Sequence, residues 1–328
     1  MPPHTSYRYA RRDCLRAAVA TLLAAGLAGC RLPTPLLRVG SNGWPGYLML
    51  ELAAQSGLYP AGQIRMVRFP SATLVMQGLA SGVLEAACLT LDEVIAMRAE
   101  GVSLQVAAVL DISAGADVLL VQDTISELSQ LAGKRIGVEQ SAVGAVMLAA
   151  VLGKAQLLPS DVTVVPLLLD QHEKAFLAGK VDAIVTMEPF AHRLMAVGAR
   201  LLFSSVAIPG RILDVLAVRS EVAAVQLDNL RRLLAGHFRV LAAFDQQERQ
   251  TLAGLAALLG EQGKDVKSYF WGVDFPDRQA NLGWFDGKPP RLQQAARELM
   301  TVMQGAGLVR AELALDDLLL PDALREGG

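Results

Sequence analysis

Six carboxylates stand close to the ends of short β-rich runs: Asp92, Glu93, Asp111, Asp117, Glu139 and Glu188. Several of them facing one cleft would favour an amine or another cationic group, above all over Trp44 or Tyr47, where a cation gains from the ring quadrupole. A second signal points the other way. The segment Ser41 to Tyr47 follows the first β-rich run; Gly43 and Gly46 permit close backbone approach and Pro45 stiffens the turn. A helix starting near Tyr47, and another near Ser141 to Gly144, would aim free N–H groups at the same cleft, and helix N-termini hold anionic oxygen without a charged side chain. Together the signals describe a site for a zwitterion or a polar nitrogen heterocycle rather than a bare inorganic anion. The candidate ligand contacts are Asn42, Trp44, Tyr47, Ser71, Thr90, Asp92, Asp111, Ser113, Asp117, Glu139, Ser141 and Glu188. Other roles compete: Asp92 and Glu93 can cap the next helix, Asp111 and Asp117 can hold a turn, and Glu139 can be solvated.

The elements that must position these residues alternate in kind from Leu36 onward. Strands are expected at 37–40, 64–68, 86–89 and 104–110, with helical patterns near 47–56, 72–80 and 91–99. Residues 118–121 read as a linking strand and 124–131 as a helix. A second series follows: strands at 135–138, 162–168, 183–185 and 201–203, with helices at 143–153, 171–178 and 189–197. Residues 215–219 read as a return strand, and amphipathic helices follow at 227–244, 248–259 and 291–306. Such alternation implies parallel strands with helical crossovers. The series echo each other, since Gly82-Val-Leu-Glu-Ala-Ala-Cys-Leu-Thr-Leu-Asp92 matches Gly179-Lys-Val-Asp-Ala-Ile-Val-Thr-Met-Glu188 in kind. Each puts a Thr and a carboxylate at the C-terminal edge of a parallel strand, where ligands bind in open α/β sheets.

The chain's N-terminus has a different grammar. Arg8, Arg11, Arg12 and Arg16 precede an apolar run that closes on Leu27-Ala-Gly-Cys30, the layout of a cleaved secretory signal rather than a membrane span. Leu-Ala-Gly-Cys resembles the bacterial lipobox, which implies that residues 1–29 are removed, that Cys30 carries lipid, and that 30–36 is a linker from the membrane surface. Arg11-Arg12 also resembles a twin-arginine export signal, and an ordinary secretory head remains open. Of three cysteines, Cys14 would leave with the signal and Cys30 would be acylated, so Cys88 has no partner and the exported domain stands without a disulfide.

Composition excludes several classes. The 328 residues are 52% hydrophobic and 19% charged with a formal net charge of −2; a phosphate backbone demands a basic stripe, so nucleic acid is not a partner. Mean hydropathy is +0.36, yet no later apolar run reaches the ~18 residues that a span requires. No Gly-x-Ser-x-Gly elbow, Walker loop, dinucleotide fingerprint or His-Glu-x-x-His occurs. The four histidines, His4, His172, His192 and His237, are scattered, so neither a metal site nor a cofactor is expected, and His172 and His192 read as surface or packing residues.

Five segments carry a family resemblance: Val39-Gly-Ser-Asn-Gly-Trp-Pro-Gly-Tyr47, Gly57-Leu-Tyr59, Leu79-Ala-Ser-Gly-Val-Leu-Glu-Ala-Ala87, Gly133-Lys-Arg-Ile-Gly-Val138 and Ala178-Gly-Lys-Val-Asp-Ala183. They look like the nitrate/sulfonate/taurine (NMT1/THI5-like) type of ABC-transporter solute-binding protein, over about residues 37–219. The resemblance implies an α/β fold of two lobes, each a mostly parallel sheet with flanking helices. Lobe 1 would comprise 37–120 with 215–328 including the helical tail, and lobe 2 would comprise 121–214, with hinges near 117–123 and 204–214. It further implies a non-enzymatic, monomeric protein outside the cytoplasm that clamps a small nitrogen- or sulfur-containing solute and delivers it to a membrane permease. Two alternatives stay open: a periplasmic sensor for a membrane signalling protein, and an enzyme resembling pyrimidine-precursor synthases. The lone Cys88 does not reproduce the cysteine cluster of the latter.

Overall fold

The computed structural model describes residues 35–260, 265–310 and 313–325; the signal-like segment, Cys14 and Cys30 lie outside the described residues. The chain first lays down β1 (Leu37–Ser41), α1 (Leu48–Gln55), β2 (Ile64–Arg68), α2 (Ala72–Ala80), β3 (Ala86–Thr90), α3 (Leu91–Ala99) and β4 (Leu104–Ser113). It then builds β5 (Val118–Val121), β6 (Arg135–Val138), α4 (Ala142–Ala155), β7 (Thr163–Pro166), α5 (His172–Leu177), β8 (Ala183–Thr186), α6 (Phe190–Ala196) and β9 (Arg200–Ser204). It returns through β10 (Leu213–Arg219) into α7 (Ser220–Asp245), α8 (Arg249–Leu259), β11 (Val273–Asp274), α9 (Arg278–Phe285) and α10 (Arg291–Gly305).

Two sheets result. The first runs β11-β4-β10-β3-β1-β2 and the second β7-β6-β8-β5-β9. Each has three parallel strands, β2-β1-β3 or β7-β6-β8, flanked by antiparallel ones, so both sheets are mixed. The parallel strands take the βαβ connections that the alternating pattern implies. Strand β3 shows why its residues are apolar in succession. Ala86 and Cys88 face one apolar layer with α1 and α7, while Ala87 and Leu89 face another with α2, α3 and α10. A strand covered on both faces has no polar side to offer.

The echoing segments occupy matching places: β3 and β8 each lie beside a parallel strand on one side and an antiparallel one on the other. The sequence reading needs correction at the first crossing. Strand β5 pairs with β8 and β9 in the second sheet, so the chain passes between sheets at Ala114–Asp117 and not at 120/121. Residues 124–131 form no α-helix; only a 3-10 turn at Leu128–Leu131 is present, because Gln130 turns back to accept from the backbone N–H groups of Ser126 and Glu127.

Helix α7 buries Leu230, Leu233, Leu234, His237, Leu241 and Phe244 at spacings of three and four, the mark of an amphipathic helix. It lies against α1. Tyr59 ties the pair, its hydroxyl donating to the carbonyls of Leu50 and Leu233 at 3.3 Å. The C-terminal segment completes the first sheet's flank. The Val106 N–H donates to Leu318 O at 2.7 Å, and the Leu320 N–H donates to Val106 O at 2.8 Å.

Asn281, on α9, does the work of a strand. Its amide oxygen accepts the Val109 N–H at 2.9 Å and its amide nitrogen donates to the Val109 carbonyl at 2.9 Å, beside irregularities in the β4–β10 ladder. The side chain is fully buried. Replacing it with leucine would leave two backbone groups unpaired away from water, and Asn281→Leu is expected to cost about 2–4 kcal/mol in urea unfolding; an unchanged midpoint would show that water reaches Val109.

Candidate functional site

The two chain crossings run side by side. Ser113 Oγ and Ser205 Oγ lie 2.8 Å apart, Ser205 Oγ accepts the Gly115 N–H at 2.7 Å, and the Ser205 N–H donates to Asp117 O at 2.9 Å. Above them, a cleft is walled by both lobes. Asn42, Trp44, Tyr47, Thr90, Glu93 and Asp214 come from the first, Glu139, Ser141, Met147, His172 and Thr186 from the second, and Asp117 from the crossing. Spheres the size of water can centre in about 50 Å³ of it, room for about four waters or a solute of similar bulk.

The first wall is held by acids. Trp44 donates its indole N–H to both Asp111 oxygens at 3.1 Å, and Tyr47 donates its hydroxyl to Asp214. Asp111 and Asp214 are directly opposite in the β4–β10 register and both are buried. Burial pushes both carboxyls upward and the charge of Asp111 raises Asp214 further. Two such groups cannot both ionise at contact, so the pair keeps a proton. Gly46 is required beside them: a Cβ there would overlap Asp111 Oδ2 and Trp44 Nε1. Asn42 accepts the Trp44 N–H at 2.9 Å and fixes the turn.

At the end of β3, Glu93 Oε2 accepts the Thr90 N–H at 3.0 Å. Burial raises Glu93 to about 8, with the neighbouring Asp92 adding repulsion. Burial likewise raises Asp117 to about 7 and Asp92 to about 6. The opposite wall adds Glu139, which reaches from the end of β6 to the start of α2 and accepts from Thr73 N and Thr73 Oγ1 at 3.1 Å. That carboxylate of one lobe thus occupies the N-terminus of a helix in the other, the place an anion would take. Ser141 caps α4, accepting from the Gly144 N–H at 3.3 Å. His172 sets Nδ1 3.1 Å from Thr186 Oγ1, and burial lowers its pKa to about 4. Among the described residues, no Lys or Arg lines the cleft.

Seven of the sequence-derived candidates line this cleft: Asn42, Trp44, Tyr47, Thr90, Asp117, Glu139 and Ser141. Five do not. Ser71 caps α2 through the Leu74 N–H, and Ser113 stitches the crossings. Asp111 stands behind Trp44, and Asp92 is wholly buried in the first turn of α3. Glu188 turns to the start of α6, accepting the His192 N–H at 3.2 Å, and burial raises it to about 7. The sequence reading underrated His172, which is a cleft wall and not a surface residue; Asp214 and Thr186 went unnamed. Thr186 had a signal, for it is the echo of Thr90.

The central part of the chain matches a family model. Residues 53–211 match the model described as NMT1/THI5 like. The matched span covers slightly less than half of the chain. It carries Thr90, Glu93, Asp117, Glu139 and His172, whereas Trp44, Tyr47 and Asp214 lie outside its span. No curated protein matches the chain. Among solved structures, the alkanesulfonate-binding protein SsuA from Xanthomonas axonopodis pv. citri bound to MOPS superimposes with a TM-score of 0.74 at 19% identity, over 89% of this chain and 100% of that one. The periplasmic aliphatic sulphonate-binding protein SsuA from Escherichia coli gives 0.69 at 20% identity, over 90% and 95%. The desulfurization enzyme DszB gives 0.61 at 20% identity, over 88% and 97%. At these identities the likeness shows the periplasmic-binding-protein fold, on which both binding proteins and an enzyme occur. Among the described residues, no helix is long and apolar enough to cross a membrane and no side-chain group could hold a metal ion.

The acid cluster of the cleft dictates how stability follows pH. A carboxyl whose folded pKa lies above its unfolded one contributes stability at low pH and loses it as pH rises through the folded value. His172 and His237, both lowered to about 4 by burial, act oppositely but only below their unfolded value near 6.5. Between about pH 6.5 and 8.5 the raised carboxyls act alone, and the melting temperature of the empty protein is expected to fall; a rise across that window would mean the cluster is stabilised in ionised form.

Proposed function

We propose that this protein is an extracytoplasmic solute-binding protein of an ABC importer, and that its cleft captures a small organic solute carrying a positively charged nitrogen. The observation that carries this reading is the cleft's lining: Glu93, Asp117, Glu139 and Asp214 beside Trp44 and Tyr47, with no basic side chain among the described residues. A cation entering there would meet carboxyl groups that give up protons to receive it, and aromatic surface besides. The SsuA proteins are named for sulfonates. Here a sulfonate would find α2's N-terminus already taken by Glu139 and acids in place of cations. The fold's likeness supports delivery to a permease, the lipobox-like Leu27-Ala-Gly-Cys30 supports anchoring at a membrane surface, and the two adjacent crossings support closure of the lobes about the solute. A binding role is supported over a catalytic one because Cys88 is buried with its thiol pushed well up and does not line the cleft, and His172 is too weak a base near neutrality.

Thermal melts against ethylammonium, ethanolamine, acetamidine, ethanesulfonate and taurine test the charge of the solute. The nitrogen cations are expected to raise the melting temperature, since ligand at about 100 times its dissociation constant adds ~2.7 kcal/mol. Asp117→Asn is expected to weaken them about tenfold or more. Stabilisation by ethanesulfonate alone would reverse the reading.

Anchoring has its own test. In a bacterial host, a clickable palmitate analogue is expected to label the wild type and not Cys30→Ala; an unlabelled wild type would remove the anchor.

A further inference from the structure

Three polar atoms of cleft-lining residues have no hydrogen-bond partner: Thr90 Oγ1 and Glu93 Oε1 on the first lobe and His172 Nε2 on the second. All three residues line the same cleft, and Glu93 and His172 are only 1% and 2% exposed. Water serves such atoms poorly, and buried polar atoms are ordinarily paired. His237, whose ring nitrogens are also unpaired, does not line the cleft; Thr90 Oγ1 stands on the same wall as Glu93, so Glu93 Oε1 and His172 Nε2 are atoms of opposite walls that share a space a solute could enter.

Their chemistry follows from their surroundings. His172 Nδ1 lies 3.1 Å from Thr186 Oγ1 and Nε2 has no partner; with the ring proton on Nδ1, donated to that hydroxyl, Nε2 is left bare. Burial keeps the ring neutral at pH 7, with its pKa near 4. Nε2 therefore presents a lone pair and accepts. On the other wall, Glu93 Oε2 already holds the Thr90 N–H, so Oε1 is the oxygen left free, and it accepts once the carboxyl gives up its proton to an incoming cation. Asp117 and Asp214 stand in the same lining. The complement of two acceptors on facing lobes, in an acidic surround, is one nitrogen group with positive charge and at least two N–H bonds.

We propose that the solute's nitrogen group bridges the lobes, donating one N–H to Glu93 Oε1 and another to His172 Nε2. The inference rests on the cationic-solute reading and narrows it. A quaternary ammonium carries the same charge and meets the same aromatic surface, but leaves both acceptors unpaired. His172 is thus the residue that separates N–H-bearing cations from permethylated ones, and the contact that draws the second lobe onto a solute held by the first.

The test pairs each N–H donor with its permethylated counterpart on the exported domain: ethanolamine with choline, guanidinium with hexamethylguanidinium, and ethylammonium with ethyltrimethylammonium. Thermal melts and calorimetric titrations are expected to show the N–H member of each pair binding at least about tenfold more tightly. His172→Phe is expected to abolish that preference while the empty protein melts at or above the wild-type temperature, since an unpaired buried nitrogen is removed. His172→Gln, which keeps an acceptor, is expected to restore part of the preference. Glu93→Gln serves as the second variant should His172→Phe fail to fold, with the same loss expected. If choline and ethanolamine bind alike, the bridge is wrong while the cationic reading stands. If His172→Phe folds and keeps the wild-type preference, His172 has no such role. If only sulfonates bind, or none of these probes does, both readings fall together.

Discussion

Two carboxyl groups face one another across β4 and β10, Asp111 and Asp214, buried and without a cation beside them. Acids in that position are costly unless they share a proton and find donors, and the fold supplies both donors from a single turn: the indole of Trp44 and the phenol of Tyr47. That constraint reaches outward. It dictates a glycine at position 46, because any side chain would displace Asp111. It fixes the aromatic pair at one wall of the cleft, and sets the negative potential against which Glu93 and Asp117 must titrate. The turn is thus held from behind by acids, and what it presents in front follows from that.

The lobes meet through a second acid. Glu139 spends its carboxylate on Thr73 at the start of α2, so this arrangement contains a bond between lobes that asks nothing of a solute. A helix N-terminus satisfied this way has little left for another anion. The likeness in fold to sulfonate-binding proteins and the acidity of this cleft are therefore compatible, because the fold does not dictate which charges line its cleft.

Much of this was legible in the chain. The βαβ series could be read because each strand is short, apolar and bounded by turn residues, and each helix has its own period. Trp44, Tyr47 and Glu139 were legible because they follow strands at the edge where clefts form. Asp214 was not, since its importance comes from a register partner 103 positions away in the chain, between Asp111 and Asp214, and nothing local announces it. Glu188 and Ser71 fall outside the cleft lining for a different reason: a helix cap and a ligand contact use the same residue types in the same place, and only the direction of the side chain separates them. His172 looked ordinary because a histidine's burial is decided by what packs over it. The stretch 124–131 shows propensity losing to a local competitor, Gln130, which takes the backbone donors a helix would have used.

The strand order also sets a timetable for assembly. All five strands of the second sheet fall within residues 118–204, whereas the first sheet has a vacancy between β3 and β4 until β10 is in place. A chain emerging from a ribosome or a membrane pore therefore completes the later lobe before the earlier one. Until residue 219 is available, β3 and β4 are bare edges of apolar strands, the kind of surface that pairs with a neighbouring chain. The portion made first is finished last, and whatever shields those edges in the interval is as much a requirement of this fold as its core.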